Sequence, residues 1–377
     1  MIPFNKPYLH GRELEYISQA VASGKISGDG VFTCQCHQYF ESRYHFQRAF
    51  LTTSCTDALE MSALLLEIGP GDEVILPSYT FVSTANAFAL RGAKLVFADS
   101  SEVNPNIDPR LIESLVTPAT KAIVVVHYAG IACAMTEILD IARRHRLHIV
   151  EDAAQAIDSF YMGKPLGSFG TFSTFSFHET KNITCGEGGM LVVNNLDYVQ
   201  RAEIIREKGT NRSAFFRGEI DKYGWVDLGS SFLPSELNAA FLYAQIEVIE
   251  KVQARRLAIW ERYHSKIAPV LSKLGIGLPV IPSWGTNNGH LFYLICRDGD
   301  ERQKLINHLR ERGVMAVFHY QSLHRSAYFS ARHDGRHLPN ADHYSDCLLR
   351  LPLYYDLRDA EVDFIVEGIL EFYDGAQ

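Results

Sequence analysis

Nothing in these 377 residues forms a run of lysine and arginine long enough to follow a phosphate backbone, and the formal net charge is -8. A nucleic-acid partner is therefore not expected. Long apolar runs are missing as well: none approaches the roughly 18 residues that span a bilayer. Met1 to Pro7 has no charged stretch leading into an apolar one. No membrane partner is expected, and a cytoplasmic location is the default. The seven cysteines are an odd, dispersed set that fits reduced thiols better than a disulfide framework. Cys34, Cys36 and His37 resemble a partial metal site, but no CxxC pair exists to complete a four-ligand set. The expectation is no metal, with this cluster at a polar or half-buried helix start. Walker and GxSxG loops are absent, which leaves nucleotide hydrolysis and serine-hydrolase chemistry without support. The glycines between Gly24 and Gly30 neither follow an apolar strand nor open a clear helix, so a nicotinamide fingerprint lacks its context.

What is present is an apolar, well-mixed chain, 47% hydrophobic and 21% charged, long enough for about two domains. From about Leu51 to Val193, short β-branched runs alternate with helix-like stretches, the pattern of a mostly parallel α/β sheet with helices on both faces. Strands are expected at Glu73 to Leu76, Lys94 to Ala98, Ala122 to Val126, His148 to Val150 and Met190 to Val193. Helices are expected at Asp57 to Leu66 and Thr136 to His145. Ile246, Ile249, Leu257, Trp260, Tyr263 and Ile267 mark a long helix that Pro269 should end. A strand candidate at His290 to Cys296 and helices at Asp300 to Arg312 and Ala360 to Tyr373 then describe a smaller α+β unit. The division expected is a large domain over 1–245 and a small one over 246–377. Gly209 to Ser231 is polar, rich in aromatics and without clean periodicity, as expected of a functional or interface loop.

Four segments could carry chemistry. The strand at His148 runs into Glu151, Asp152, Ala153, Ala154 and Gln155, and ligands collect at the carboxyl ends of parallel strands. An acid there could keep a cofactor's ring nitrogen protonated; the segment alone reads better as a helix cap. Phe175 to Asn182, with Lys181, precedes the glycine-rich turn Gly186 to Gly189. A lone lysine is usually a solvated charge. Between an apolar strand and a turn that permits close backbone approach, it could instead be a desolvated nucleophile. Thr52 to Asp57 opens a helix whose hydroxyls and free amides could dock a phosphate, though ordinary capping explains them equally well. Pro77 to Phe81 offers an aromatic face near the same sheet edge, where most aromatics are simply core.

Taken in order, SFHETKN followed by GEGG, EDAAQ and PSYTFVSTANA resemble the DegT/DnrJ/StrS family of nucleotide-sugar aminotransferases, and the resemblance runs through essentially the whole chain. It implies the type I fold of enzymes dependent on pyridoxal 5'-phosphate (PLP), which becomes the pyridoxamine form during turnover. It implies that Lys181 binds the cofactor covalently and then moves a proton, that Asp152 pairs with the pyridinium nitrogen, and that Gln155 lies on the ring's hydroxyl side. Phe81 would stack on the ring, and Thr56, the Cys55 amide and Ser176 would hold the phosphate. His178, Gly28, Asp29 and His324 are candidates for substrate contact. L-glutamate would give the amine and leave as 2-oxoglutarate, a nucleotide-linked keto sugar would accept it, and the sites would lie at the interface of a homodimer. Cys55 stands where many members have glycine, which a backbone-amide contact tolerates. Gly229 to Leu233 lacks the asparagine and basic residue that many members place there. Two other readings are less favoured. A PLP-dependent sugar dehydratase would carry histidine in place of Lys181, and a noncatalytic regulator would carry an added basic domain or a broken lysine site. Borohydride reduction of the purified protein should fix the cofactor label on the peptide containing Lys181, and recovery of the label on another peptide would overturn that assignment.

Overall fold

The computed structural model describes residues 1–375. Its centre is a seven-stranded sheet made of β1 (Ala49–Thr52), β2 (Glu73–Pro77), β3 (Lys94–Ala98), β4 (Thr120–Val126), β5 (His148–Asp152), β8 (Phe172–Ser176) and β9 (Gly189–Val193). A short hairpin, β6 (Phe160–Tyr161) and β7 (Lys164–Pro165), lies outside it. The order across the sheet is β1-β9-β8-β5-β4-β2-β3. The run from β8 to β3 is parallel, whereas β9 is antiparallel to both its neighbours. Every residue of β2 and β9 is buried, as strands covered on both faces require.

Two apolar cores flank this sheet, one on each face. Ile75, Ile123, Val125 and Ile149 point into one; Val74, Leu76, Val124 and Val150 point into the other. That alternation is the two-residue period of a strand. A third core is built between Ile259 and Tyr373 around β10 (Phe292–Ile295), β11 (Val317–Phe318) and β12 (Leu348–Leu351), which pair in the order β10-β12-β11. Helices Gly299–Glu311 and Asp359–Asp374 pack against it.

The expected strands all form, most with an extra residue or two, and β1 and the full extent of β8 add to them. Three sequence expectations need correction. Pro269 does not end the long helix, which runs Ile249–Leu271 with the proline in its last turns. Proline forfeits one backbone bond there, while fully buried Ile267 and Leu271 hold the end of the helix in the core. Gly30 does open a helix, Val31–Tyr44. Its free amides find a partner from far along the chain: buried Glu236 accepts from the backbone N–H of Gly30 (2.9 Å), Phe32 (2.9 Å) and Thr33 (3.0 Å). Within that helix His37 accepts the Leu51 amide through Nε2 at 2.9 Å, tying the helix to β1. Finally, no helix follows Asp152: the chain turns, so the helix-cap reading of this acid does not hold.

Gly189, the first residue of β9, sits directly under the start of helix Cys55–Leu65. A Cβ there would come within 2.3 Å of both the Cys55 nitrogen and the Ser54 carbonyl carbon, and backbone atoms cannot swing aside. Gly189→Ala should therefore lose about 1–3 kcal/mol of stability in denaturant unfolding; an unchanged midpoint would show that the two segments are not in close contact.

Candidate active site

The parallel strands end on one edge of the sheet, and register carries that edge across the antiparallel strands. Ser176 pairs with Gly189, and Gly189 with Thr52. Segments remote in sequence are thereby brought to one cavity of about 900 Å³, lined by Ser54 to Thr56, Thr80 to Ser83, Asp152, Gln155, Ser176, His178 and Lys181. The other wall comes from the small sheet and its connections: Val317 to Gln321, Arg350 and Leu351, together with Phe4 and Asn5 from the N-terminal segment.

Asp152 ends β5 and is buried. One carboxylate oxygen accepts the Thr84 hydroxyl at 2.7 Å, and the other accepts the Ala154 amide at 3.2 Å. Burial pushes its pKa above the usual carboxylate range, while Thr84, Ala154 and the Lys181 charge pull the other way. Lys181 is half-buried, and burial lowers its amine below the ordinary lysine value; Cys55 and Asp152 oppose that shift and Arg350 adds to it. The two groups thus meet a low-dielectric space that disfavours both charges, which an adjoining cationic ring and a covalent partner for the amine would relieve.

At the start of helix Cys55–Leu65, Ser54 caps the Asp57 amide at 3.0 Å. Thr56 Oγ1 donates to Ser83 Oγ at 2.8 Å, so hydroxyls from two helix starts lie together at the cavity wall. With Ser176 and the uncapped amides of that turn they form a nest for an anion. Burial raises the Cys55 thiol, which leaves a neutral side chain beside this nest. Gln155 is fixed at both ends of its amide: Oε1 accepts from Ala129 N at 2.6 Å and Nε2 donates to the Tyr320 hydroxyl at 2.9 Å. Phe81 presents an exposed ring to the cavity, 6.0 Å from the Tyr320 ring. His178 also lines it, with Nδ1 3.0 Å from Thr180 Oγ1.

These residues fit pyridoxal phosphate on observations of the fold alone. There is an anion nest, a buried acid for a ring nitrogen, a half-buried amine, an aromatic face and an amide held in a fixed orientation. Three candidates for substrate contact lie elsewhere. Gly28 packs against Pro234 and Leu233, where a Cβ would clash at 2.3 Å. Asp29 pairs with Arg206 at 2.9 Å. His324 is buried with Nδ1 2.8 Å from Ser78 Oγ. None of the three lines the cavity.

The sequence reading missed several members. Thr84 lies inside the quoted PSYTFVSTANA motif, so a reading for second-layer partners of Asp152 could have found it. Tyr320 is held at φ +49°, a left-handed conformation uncommon outside glycine, with its ring 3.5 Å from that of His319. No local pattern announces that. His290 Nδ1 lies 2.8 Å from Asn182 Oδ1, next along the chain from Lys181. Arg350 gave only a weak signal, one charge within an apolar strand.

Comparison with known proteins agrees with this geometry. The model of the DegT/DnrJ/EryC1/StrS aminotransferase family matches residues 7–370. The aminotransferase TlmJ from Streptoalloteichus hindustanus is 28% identical, with a TM-score of 0.91 and 100% of both chains covered. DesV of S. venezuelae, solved in complex with a ketimine intermediate, is 30% identical over 98% of both chains with a TM-score of 0.89. Spr1654 from Streptococcus pneumoniae, assigned as a sugar aminotransferase, is 25% identical in its PMP form, with a TM-score of 0.93 and 100% of both chains covered. It has also been solved in a PLP form.

The raised pKa of Asp152 has a sign that can be checked. The folded protein holds this proton more tightly than the unfolded chain does, so stability from this group is present at low pH and falls as pH climbs through the carboxylate range. Asp152→Asn should therefore melt no lower than the parent when both are cofactor-free at neutral pH. The same substitution should cut turnover about 100-fold or more, by removing the charge that would hold a ring proton. A lower melting point with turnover intact would assign Asp152 a structural role only.

Proposed function

The chain belongs to the DegT/DnrJ/EryC1/StrS aminotransferase family and is a PLP-dependent sugar aminotransferase; within that activity, we propose that it moves the amino group of L-glutamate to C4 of TDP-4-keto-6-deoxyglucose, giving TDP-4-amino-4,6-dideoxygalactose. The observation that carries the catalytic part of this reading is the shared cavity of Asp152 and Lys181, two groups whose burial disfavours charge on each. When bound, the cofactor supplies an electron sink that takes an amine from one substrate and gives it to another. Asp152 would keep a proton on the ring nitrogen. Thr56, the Cys55 amide and Ser176 would anchor the phosphate, and Phe81 and Gln155 would hold the ring. Lys181 would hold the cofactor covalently, and its amine, when free, would carry the proton to and from the donor's α-carbon. The lowered pKa favours the neutral amine that both tasks need.

The sugar assignment rests on stretches of sequence. MIPFNKP, SGDGVFT, VHYAG, REKGTNRSAFFRG and FHYQSLH resemble the transaminase that makes this 4-amino sugar, an enzyme of cell-surface polysaccharide synthesis such as that of enterobacterial common antigen. The first and last of these supply Phe4, Asn5, Phe318, His319, Tyr320 and Gln321 to the cavity wall, which supports a role in choosing the acceptor. A homodimer is part of the same proposal. Between residues 216 and 228, Phe216, Tyr223, Trp225, Val226 and Leu228 are all exposed, Trp225 at 80%, a patch that a second copy would cover. We also place the domain division at 245/246, supported by the separate apolar core that residues between Ile259 and Tyr373 build. No helix among the described residues is long and apolar enough to cross a membrane.

The second reading keeps the same chemistry but gives the gluco epimer, or aminates another nucleotide keto sugar. Incubation with L-glutamate and TDP-4-keto-6-deoxyglucose, followed by NMR of the product, should show an axial amine at C4. An equatorial amine would replace the galacto assignment by the gluco one, and recovery of unreacted keto sugar beside 2-oxoglutarate would remove this acceptor.

A further inference from the structure

Among the described residues, the cavity is lined by two arginines that the chemistry of Lys181 and Asp152 leaves unused, Arg256 and Arg350, and Arg256 already donates to the Gly289 and His290 carbonyls at 3.0 and 2.9 Å. Arg350 belongs to β12, on the wall opposite the large sheet. One of its N–H groups, on Nη2, donates to the Phe318 carbonyl at 3.0 Å. The Phe4 ring lies over the guanidinium, 4.5 Å from Cζ to the ring centroid. Nε is buried with no hydrogen-bond partner. The ionisable groups that favour its charge are the hydroxyls of Tyr128, Tyr320 and Tyr79, and none is a carboxylate.

The half-buried guanidinium has no carboxylate among the groups that favour its charge, so an anion entering the cavity would find it unpaired. Its orientation is already fixed by a π face on one side and a backbone carbonyl at one N–H. Its remaining donors keep the planar fork that matches a carboxylate. The position narrows the choice of anion. Arg350 and Lys181 line the same cavity, and the charge of Arg350 lowers the Lys181 amine, which favours an anion borne close to the reacting carbon. In an α-amino acid, the carboxylate is bonded to the very carbon that bears the amine. In a nucleotide-linked 4-keto sugar, the diphosphate is joined at C1, across the ring from C4.

We propose that Arg350, with Phe4 setting its plane, is the subsite for the α-carboxylate of the amino donor. The proposal rests on the transamination reading above, but its test needs no turnover. The probes are glutarate, a dicarboxylate with no amine to react, and TDP, which carries the diphosphate without the sugar, each titrated calorimetrically into PLP-loaded protein. Arg350→Gln should weaken glutarate about 10-fold or more, the scale of lost charge-assisted hydrogen bonds, and leave TDP within about twofold. Arg350→Lys keeps the charge without the fork and should fall between parent and Gln variant; it carries the same comparison should the Gln variant fail to fold. A second readout is the single-turnover reaction with L-glutamate, in which the half-saturating concentration should rise far more than the limiting rate falls. Glutarate affinity unchanged in both variants, or TDP weakened as much as glutarate, would overturn the assignment, the latter giving the cation to the diphosphate. Failure of the sugar reading looks different: the parent would still bind glutarate through Arg350 while leaving the keto sugar unchanged.

Discussion

A buried carboxylate that takes no part in the chemistry fixes the edge of the sheet on which the whole site stands. Glu151, fully buried beside Asp152, accepts the backbone N–H groups of Gly167 (2.9 Å), Phe169 (2.7 Å) and Gly170 (2.6 Å) and the Ser173 hydroxyl (3.0 Å), and it meets His127 Nε2 at 3.0 Å. His127 is oriented in turn by the Cys133 amide, which donates to its Nδ1 at 3.2 Å. Burial works against the charge of Glu151, yet His127 and the glycine amides hold its pKa below the usual carboxylate range. Removing any one partner would leave a buried charge short of a donor, which is why such clusters fix geometry more firmly than they add stability.

Strand alternation makes the two neighbouring acids different. Glu151 points to the face where the chain closes over it and finds five donors; Asp152 points to the opposite face and finds two. The first is saturated and therefore structural. The second keeps acceptor capacity in a space that disfavours its charge, the condition under which an acid pairs with an incoming cationic group. One step along a strand separates a scaffold residue from a reactive one.

The same economy appears in the backbone. Gly189 allows β9 to pass within contact of the first turn of helix Cys55–Leu65, so the free amides of that turn are held at the sheet edge. Glu236 does the corresponding service for the helix that Gly30 opens. Tyr320, strained into a left-handed conformation, brings its hydroxyl to Gln155 across the cavity. In each case a helix end or side chain is positioned by a residue from a distant part of the chain.

The amino-acid order by itself determined the alternation of strands and helices, because short β-branched apolar runs bounded by turn residues fit covered strands, and it marked Asp152 and Lys181, because both follow a strand where the chain turns. Resemblance in SFHETKN and EDAAQ then supplied their chemistry. Three-dimensional packing alone decided that the chain turns after Asp152, where the helix at Pro269 stops, and how Gly30 is capped, since each depends on a partner far along the chain or on burial of a helix face. It also decided which candidates share one cavity. Gly28, Asp29 and His324 do not line it and meet Pro234, Arg206 and Ser78 instead. Arg350 looks unremarkable in LLRLPL, and acquires meaning only where folding sets it against Phe4 without a carboxylate to neutralise it.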